Sequence, residues 1–299
     1  MADVTLAVDV GGTKIAVGLV DSAGSLTHLA TLPTPHGDAE EVWAVAERLI
    51  TDTTAAVGVR GVGIASAGPI HLPTGTVSPI NIGAWRDFPI VDRVAALVPG
   101  VPVRLGGDGL CMALGEHRHG AGRGTQFLLG MVVSTGVGGG LVFNGAPYDG
   151  ASGNAGHVGH VVVDLDGEPC TCGGHGCVET IASGPRMVQW ARDNGWAGGG
   201  GAKELAEAAS AGDELALSAF RRSGTALAAM IASVAAVCDL DLAVIGGGVA
   251  RAGPLLFDPL REALGRYAAL DFLRGLRVVP AQLGGDAGLV GAAALAGER

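Results

Sequence analysis

Two stretches of this chain share one rhythm: an apolar strand, a turn of glycine and threonine, and a second apolar strand. The first runs from Val4–Val8 into Asp9-Val10-Gly11-Gly12-Thr13-Lys14, with Ile15–Val20 as its hairpin partner. The second comes about 125 residues later. It runs from Phe127–Val133 into Ser134-Thr135-Gly136-Val137-Gly138-Gly139-Gly140, with Leu141–Phe143 as the return strand. A strand–turn–strand unit that occurs twice predicts two related α/β lobes, each presenting a backbone-lined turn. The length of 299 residues suits two domains of ordinary size, and 48% hydrophobic residues supply a large core.

The rest of the chain alternates strand and helix patterns. Gly61–Ala65, Val101–Leu105 and Leu242–Ile245 read as buried strands. Glu40–Val57, Asp108–His117, Ser183–Asn194, Lys203–Ala211, Asp213–Cys238, Pro254–Tyr267 and Ala287–Ala296 read as helices. Asp213 is placed to cap the longest of them, and Gly198–Gly201 is a flexible loop. Such alternation predicts α/β lobes with mixed sheets. The 52 glycines have no Gly-X-Y period, so they mark turns and close backbone approaches rather than a fibrous or disordered chain.

Composition narrows the partners. A net charge of −10 argues against nonspecific nucleic-acid or anionic-membrane binding, both of which need basic surface. The start, Met1-Ala2-Asp3-Val4, lacks a basic segment followed by an apolar one, and apolar runs such as Ala226–Val237 are too short to cross a bilayer. The expectation is a cytoplasmic protein. Five cysteines, an odd number, then point to metal or packing roles rather than disulfides. Cys111 and Cys238 lie in apolar helical surroundings and read as core residues.

The two turns suit phosphate. In the first, Gly11 and Gly12 let backbone N–H groups approach phosphate oxygens, Thr13 offers a hydroxyl and Lys14 a cation. Asp9, at the strand end, is placed to hold Mg2+ through water. The second turn, with Thr135, Gly136 and Gly138, suits the same polyphosphate from the other lobe, and Gly246, Gly247 and Gly248 would leave room for a nucleoside. Neither turn has the GxxxxGK[ST] spacing of a P-loop.

A third constellation is His160, Cys170, Cys172 and Cys177. One imidazole and three thiolates make a closed tetrahedral set that favours structural Zn2+. Pro169 and Gly173-Gly174 can bend the chain so that the sulfurs converge. His157 and His175 are spare candidates, more readily read as polar neighbours. The acidic flanks and the spacing do not suit a DNA-reading zinc finger.

With these motifs in order, the chain resembles the ROK family (repressors, open reading frames and kinases) over essentially its full length. The resemblance rests on Asp9–Lys14, Ala65–Pro69 with Asn81, the Asp108 region, Thr135–Gly140, Gly156–His160, Cys170–Glu179, Ile245–Val249 and Asp286–Ala293. It implies a two-lobed actin-like ATPase fold, related to ribonuclease H, with a zinc-binding loop in the larger lobe. The smaller lobe is expected over residues 1–106, completed by a C-terminal helix over 288–299, and the larger over 107–287. The implied activity is transfer of the γ-phosphoryl of ATP, with Mg2+, to the 6-hydroxyl of a hexose. Asp108 matches the family's general base, and the sugar-binding positions fall on Ala67, Gly68, Asn81, Gly107, Asp108, His157, His160 and Glu179. A homodimer, or a tetramer, is the expected assembly.

Two positions depart from the pattern of glucose-phosphorylating members. These usually carry Asn before the catalytic Asp, where this chain has Gly107, and Glu in the Gly-Glu-x-Gly-His motif, where it has His157. Both changes weaken the expected grip on ring hydroxyls, while Asp108 remains. An amino or otherwise modified hexose such as kanosamine is therefore the expected substrate, with glucose the alternative. Members that act as repressors carry a winged helix-turn-helix ahead of the first loop. That loop starts here at Asp9, so a DNA-binding repressor or a non-catalytic sugar sensor is the lesser expectation.

Overall fold

The structure, a computed structural model, describes residues 4–297. Along the chain the elements run β1 (Val4–Val10), β2 (Lys14–Asp21), β3 (Leu26–Pro33), α1 (Ala39–Thr54), β4 (Val62–Ser66), the small pair β5 (Ile70–His71) and β6 (Thr76–Val77), α2 (Ile90–Leu97), β7 (Val103–Gly107) and α3 (Asp108–His119). There follow β8 (Phe127–Val133), β9 (Val137–Phe143), β10 (Ala146–Tyr148), α4 (Glu179–Ala182), α5 (Gly184–Asp193), α6 (Ala202–Ser210), α7 (Glu214–Cys238), β11 (Leu242–Gly246), α8 (Pro254–Tyr267), β12 (Arg277–Pro280) and α9 (Ala287–Ala296). The chain forms two compact units. One holds the residues up to Gly124, Gly140–Gly156 and those from Leu283 onward; the other holds Thr125–Gly139 and His157–Gln282. The helix that Asp108 begins lies in the first unit.

The first unit is built on a five-stranded sheet of order β3-β2-β1-β4-β7. Strand β1 is antiparallel to β2 but parallel to β4, which is parallel to β7. Register pairs Val10 with Ser66, and Ser66 with Gly107. The C-terminal ends of β1, β4 and β7 therefore share one edge of the sheet, the edge where α/β folds carry their ligands. Leu6, Val8, Ile64 and Ile50 of α1 are fully buried in the core behind it, with Trp85 stacked on Phe88 at a centroid distance of 4.1 Å. Helix α1 starts on a capping box, in which Asp38 accepts from Glu40 and Glu41 N–H and the Glu41 carboxylate accepts from Asp38 N–H.

Helices α3 and α9 cross at glycines. A Cβ added at Gly115 would lie 2.4 Å from the Ala287 carbonyl oxygen, and one at Gly291 only 1.6 Å from that of Cys111. On its other side α9 presses on β4, where a Cβ at Gly63 would lie 1.7 Å from the Ala292 oxygen. Only backbones without side chains can come this close. The fully buried Glu116 completes the clamp: its carboxylate accepts from Leu283 N–H at 2.7 Å, just before α9, and from Ala121 N–H at 2.8 Å. Asp108, at the head of α3, thus begins a helix that is clamped against α9.

In the second unit β8, β11 and β12 run parallel, with Leu242 paired to Leu128 and to Arg277. The long α7 is capped by Asp213, which accepts from Ala216 N–H at 2.9 Å, and buries Phe220, Leu227, Met230 and Ile231. Among the described residues no helix is long and apolar enough to cross a membrane.

Some expectations shift. Residues 137–140 belong to β9, so the second turn shrinks to Ser134–Gly136, closed by Ser134 N–H donating to the Gly136 oxygen at 2.8 Å. Gly138, Gly139 and Gly140 are strand residues; a Cβ at Gly140 would collide with Leu110 of α3 at 2.2 Å. Strand β3 escapes the pattern reading because it is a mostly exposed edge with a register shift opposite Val17–Leu19. Helix α2 escapes it because it is short and has no side-chain cap, and β12 because it spans four residues. Cys111 is fully buried as expected, whereas Cys238, in the last turn of α7, is only half-buried.

Candidate active site and metal centre

In the first unit the shared edge of β1, β4 and β7 gathers the predicted residues. Asp9 is paired with Ala16 on one side and Ala65 on the other. The turn after it is closed by Gly11 N–H donating to the Lys14 oxygen at 3.0 Å and is braced by the Thr34 hydroxyl donating to the Gly11 oxygen at 2.6 Å. Thr13 and Lys14 keep exposed side chains. A Cβ at Gly12 would lie 2.6 Å from Cγ of Asn81, so Asn81 lies directly against this turn. Next to β4, Ala67 N–H donates to the Val10 oxygen, and a cis Gly68–Pro69 bond leads on to loop 78–82, where Ile80 N–H donates to the Gly68 oxygen.

Asp108 stands exposed at the N-terminus of α3, its Oδ1 accepting from Gly109 N–H at 2.7 Å. Gly107 before it has open space where a Cβ would be. Burial raises the Asp9 carboxyl to about 6; the negative charge of Asp108 adds to the rise and Lys14 opposes it. Asp9 also faces the start of α9, for a Cβ at Gly288 would lie 3.2 Å from its Oδ2. Two carboxylates close enough to perturb one another, at the C-terminal ends of β1 and β7 on either side of β4, can serve a cation and a proton in one site.

In the second unit the Ser134–Gly136 turn is held by Glu179. The Glu179 carboxylate accepts from Val137 N–H at 2.8 Å and lies 2.7 Å from where a Gly136 Cβ would be. Gly247, at φ +95°, passes so near β8 that a Cβ would lie 2.4 Å from the Val133 oxygen, and only glycine suits both conditions. Beside this turn opens a cavity of about 1180 Å3 lined by Ser134, Thr135, Gly184, Pro185, Gly248 and Val249, and further by α6 and the loop before it. Thr135 and Gly248 thus line the cavity, whereas Gly136, Gly138, Gly246 and Gly247 do not.

The four candidate metal ligands converge. The Sγ atoms of Cys170, Cys172 and Cys177 and a ring nitrogen of His160 all lie within 4.8 Å of one another. Cys172 and Cys177 sulfurs are 3.7 Å apart, and the Cys170 sulfur is 3.7 Å from His160 Nδ1. Four ligands at zinc distances of about 2.0–2.3 Å around a tetrahedral centre would be separated by roughly 3.4–3.8 Å. Both of these pairs have the spacing such a cage requires. The chain is folded into it by a Val162–Cys177 bridge and by Cys170 N–H donating to the Gly174 oxygen at 2.8 Å. His157, exposed, stacks toward His160 with ring centroids 6.4 Å apart, and neither it nor His175 joins the donor set.

A family model described as "ROK family" matches residues 5–299. The chain belongs to the ROK family. It is 34% identical to the glucokinase of Thermotoga maritima, over 98% of this chain and 97% of that protein. It is 35% identical to the N-acetylmannosamine kinase of Yersinia pestis, over 96% of each. Among solved structures, a ROK family glucokinase from Streptomyces griseus in complex with glucose and AMPPNP superposes with a TM-score of 0.84 at 35% identity, over 98% of this chain and 99% of that one. The actin-like ATPase fold expected from the motifs is therefore the fold of this chain, and this ROK protein is an ATP-dependent sugar kinase.

The positions expected to bind sugar fall in both units. Ala67, Gly68, Asn81, Gly107 and Asp108 lie in the first, His157, His160 and Glu179 in the second. Pattern reading passed over Glu116, whose buried carboxylate ties the α3 and α9 ends, and the residues of α5 and α6 that border the large cavity. The first carries no motif of its own. The second had one signal, the glycine run 198–201.

Proposed function

We propose that this ROK kinase transfers the γ-phosphoryl of ATP to the 6-hydroxyl of an amino or otherwise modified hexose, of which kanosamine is the representative case. The observation that carries the proposal is the open space at Gly107, directly before Asp108 at the end of β7. Where an amide side chain would otherwise grip a ring hydroxyl, this chain offers room. His157 supplies an exposed imidazole in place of a carboxylate, and a neutral imidazole nitrogen accepts a hydrogen bond from an amine. A pocket that has lost partners for hydroxyl groups loses its preference for glucose.

In this reading Asp108, oriented by Gly109 N–H, accepts the proton of the attacking hydroxyl, a role worth about 10²–10⁴-fold. Asp9 holds a hydrated Mg2+ and the turns at Gly11–Lys14 and Ser134–Gly136 direct backbone N–H groups at phosphate oxygens. Bound Mg2+ would neutralise charge developing on the transferred group. His160, Cys170, Cys172 and Cys177 hold a structural Zn2+ that orders the segment leading to Glu179. A homodimer is the proposed assembly, on family likeness alone.

Relatives named for glucose favour a second reading, a glucokinase that tolerates both substitutions. A coupled ADP-release assay across glucose, mannose, glucosamine, N-acetylmannosamine and kanosamine separates the two. The highest kcat/KM is expected on an amino sugar. A tenfold preference for glucose would sink the modified-sugar reading. Asp108→Asn is expected to lower kcat on every sugar by at least a hundredfold, and a fully active variant would remove Asp108 from the mechanism.

A further inference from the structure

One border of the large cavity of the second unit, which Arg192 of α5 also lines, is a run of glycines. Between α5 and α6 the chain runs through Gly198-Gly199-Gly200-Gly201, and the last three of these line the cavity together with Ala202 and Lys203 of the first turn of α6. A side chain cannot be added at two of them without displacing neighbours. A Cβ at Gly198 would lie 2.1 Å from the buried Trp196 ring, and one at Gly200 would lie 2.0 Å from Oε2 of Glu204. Four glycines in a row carry a high conformational entropy, and a border that must present N–H groups to a ligand cannot be left to fluctuate. Helix α6 also starts without a side-chain cap, so its first N–H groups have no side-chain acceptor at the cavity edge.

One side chain fastens this strap. Arg192, in the last turn of α5, donates from Nε to the Gly198 oxygen at 3.1 Å and from a terminal nitrogen to the Gly200 oxygen at 2.8 Å. The planar guanidinium spans two alternate carbonyls in a fixed fork, which the flexible, single-point ammonium of a lysine does not preorganise. We propose that Arg192 is a positioning residue for the nucleotide. It holds the glycine strap and the uncapped α6 N-terminus in the shape that borders the nucleotide, and so sets donor affinity without touching the sugar or the transferred phosphoryl group. This rests on reading the cavity that Thr135 and Gly248 line as the ATP site.

The test is calorimetric titration of ADP and of AMPPNP into wild type, Arg192→Ala and Arg192→Lys, with steady-state KM for ATP and for sugar alongside. Arg221→Ala, which removes the same charge from an exposed arginine of α7, serves as control. Arg192→Ala is expected to weaken ADP and AMPPNP by the same factor, about tenfold, or about 1.4 kcal/mol. Arg192→Lys should weaken both about threefold, and sugar KM and the thermal midpoint of the ligand-free protein should hold. Three results would overturn the proposal. Unchanged nucleotide affinity would leave the strap without a role, and a larger loss for AMPPNP than for ADP would make Arg192 a direct phosphate ligand. An equal rise in sugar KM would mark a general structural defect. A wild type that binds neither nucleotide would instead remove the assignment of the cavity itself.

Discussion

Asp9 is held under electrostatic stress by its own fold, and the stress has a measurable size. In the protein without nucleotide or metal its carboxyl is raised from 3.8 to about 6, first by burial and then by the charge of Asp108. In the unfolded chain it titrates at its ordinary value. Below pH 4 both states hold the proton and Asp9 costs nothing. Between pH 4 and 6 the folded state holds a proton that the unfolded state has lost, so stability falls as pH rises. Above pH 6 both states are ionised and the full cost remains. Replacing Asp9 by Asn removes a charge the fold disfavours, so Asp9→Asn should be more stable than wild type by about 1.6 kcal/mol at pH 5 and by about 3 kcal/mol at pH 7.5, with little difference at pH 4.

Urea unfolding of the two proteins, compared at each pH so that every other titration cancels, measures this difference directly. The same substitution should abolish phosphorylation, because the carboxylate proposed to hold hydrated Mg2+ is gone. A stability difference that stays flat from pH 4.5 to 7.5, or an Asp9→Asn protein less stable than wild type at pH 7.5, would refute the reasoning. Either would mean that Asp9 is better solvated or better paired than its position between β2, β4 and α9 implies.

Two further substitutions test the packing, and one tests the metal. Gly291→Ala would drive a methyl group to 1.6 Å from the Cys111 oxygen, so α9 must separate from α3. A loss of about 3 kcal/mol or more and a fall in kcat through Asp108 are expected, read by thermal unfolding and turnover. Gly265→Ala, at an exposed site in α8 where a Cβ meets nothing, should instead stabilise by roughly 0.5–1 kcal/mol. Purified protein should carry one zinc per chain by elemental analysis. Cys177→Ser should lose that zinc and lower the thermal midpoint, whereas unchanged zinc content would place the ion elsewhere.

What could be read from the sequence was what local chemistry dictates. The run Val4–Val8 is apolar because β1 lies in the centre of a sheet, and Asp9-Val10-Gly11-Gly12 ends it where parallel neighbours also end. The cysteine cluster was legible because four soft donors within eighteen residues have few other uses. Interactions that join distant residues left no local trace. Glu179 reads as a sugar ligand, yet its carboxylate also fastens Val137, forty-two positions away. Glu116 looks like an ordinary helix residue until its oxygens are found on Leu283 and Ala121. Arg192 looks like a solvated cation until its two carbonyl partners appear.

The same division explains why the chemistry of this kinase is easier to argue than its sugar. Asp9 and Asp108 sit at the ends of β1 and β7, whose register with β4 is set by many buried residues and cannot drift without unfolding the sheet. Gly107, at the end of β7, and His157, in the second unit, are single side-chain choices. Gly107 has nothing where its Cβ would be, and the His157 side chain is exposed. An open position and an exposed one can change at less cost to the fold than a core residue. A return of both to the usual family residues, Gly107→Asn with His157→Glu, should therefore leave stability within about 0.5 kcal/mol and move kcat/KM toward glucose. If the double variant gains nothing on glucose, the two positions do not choose the sugar.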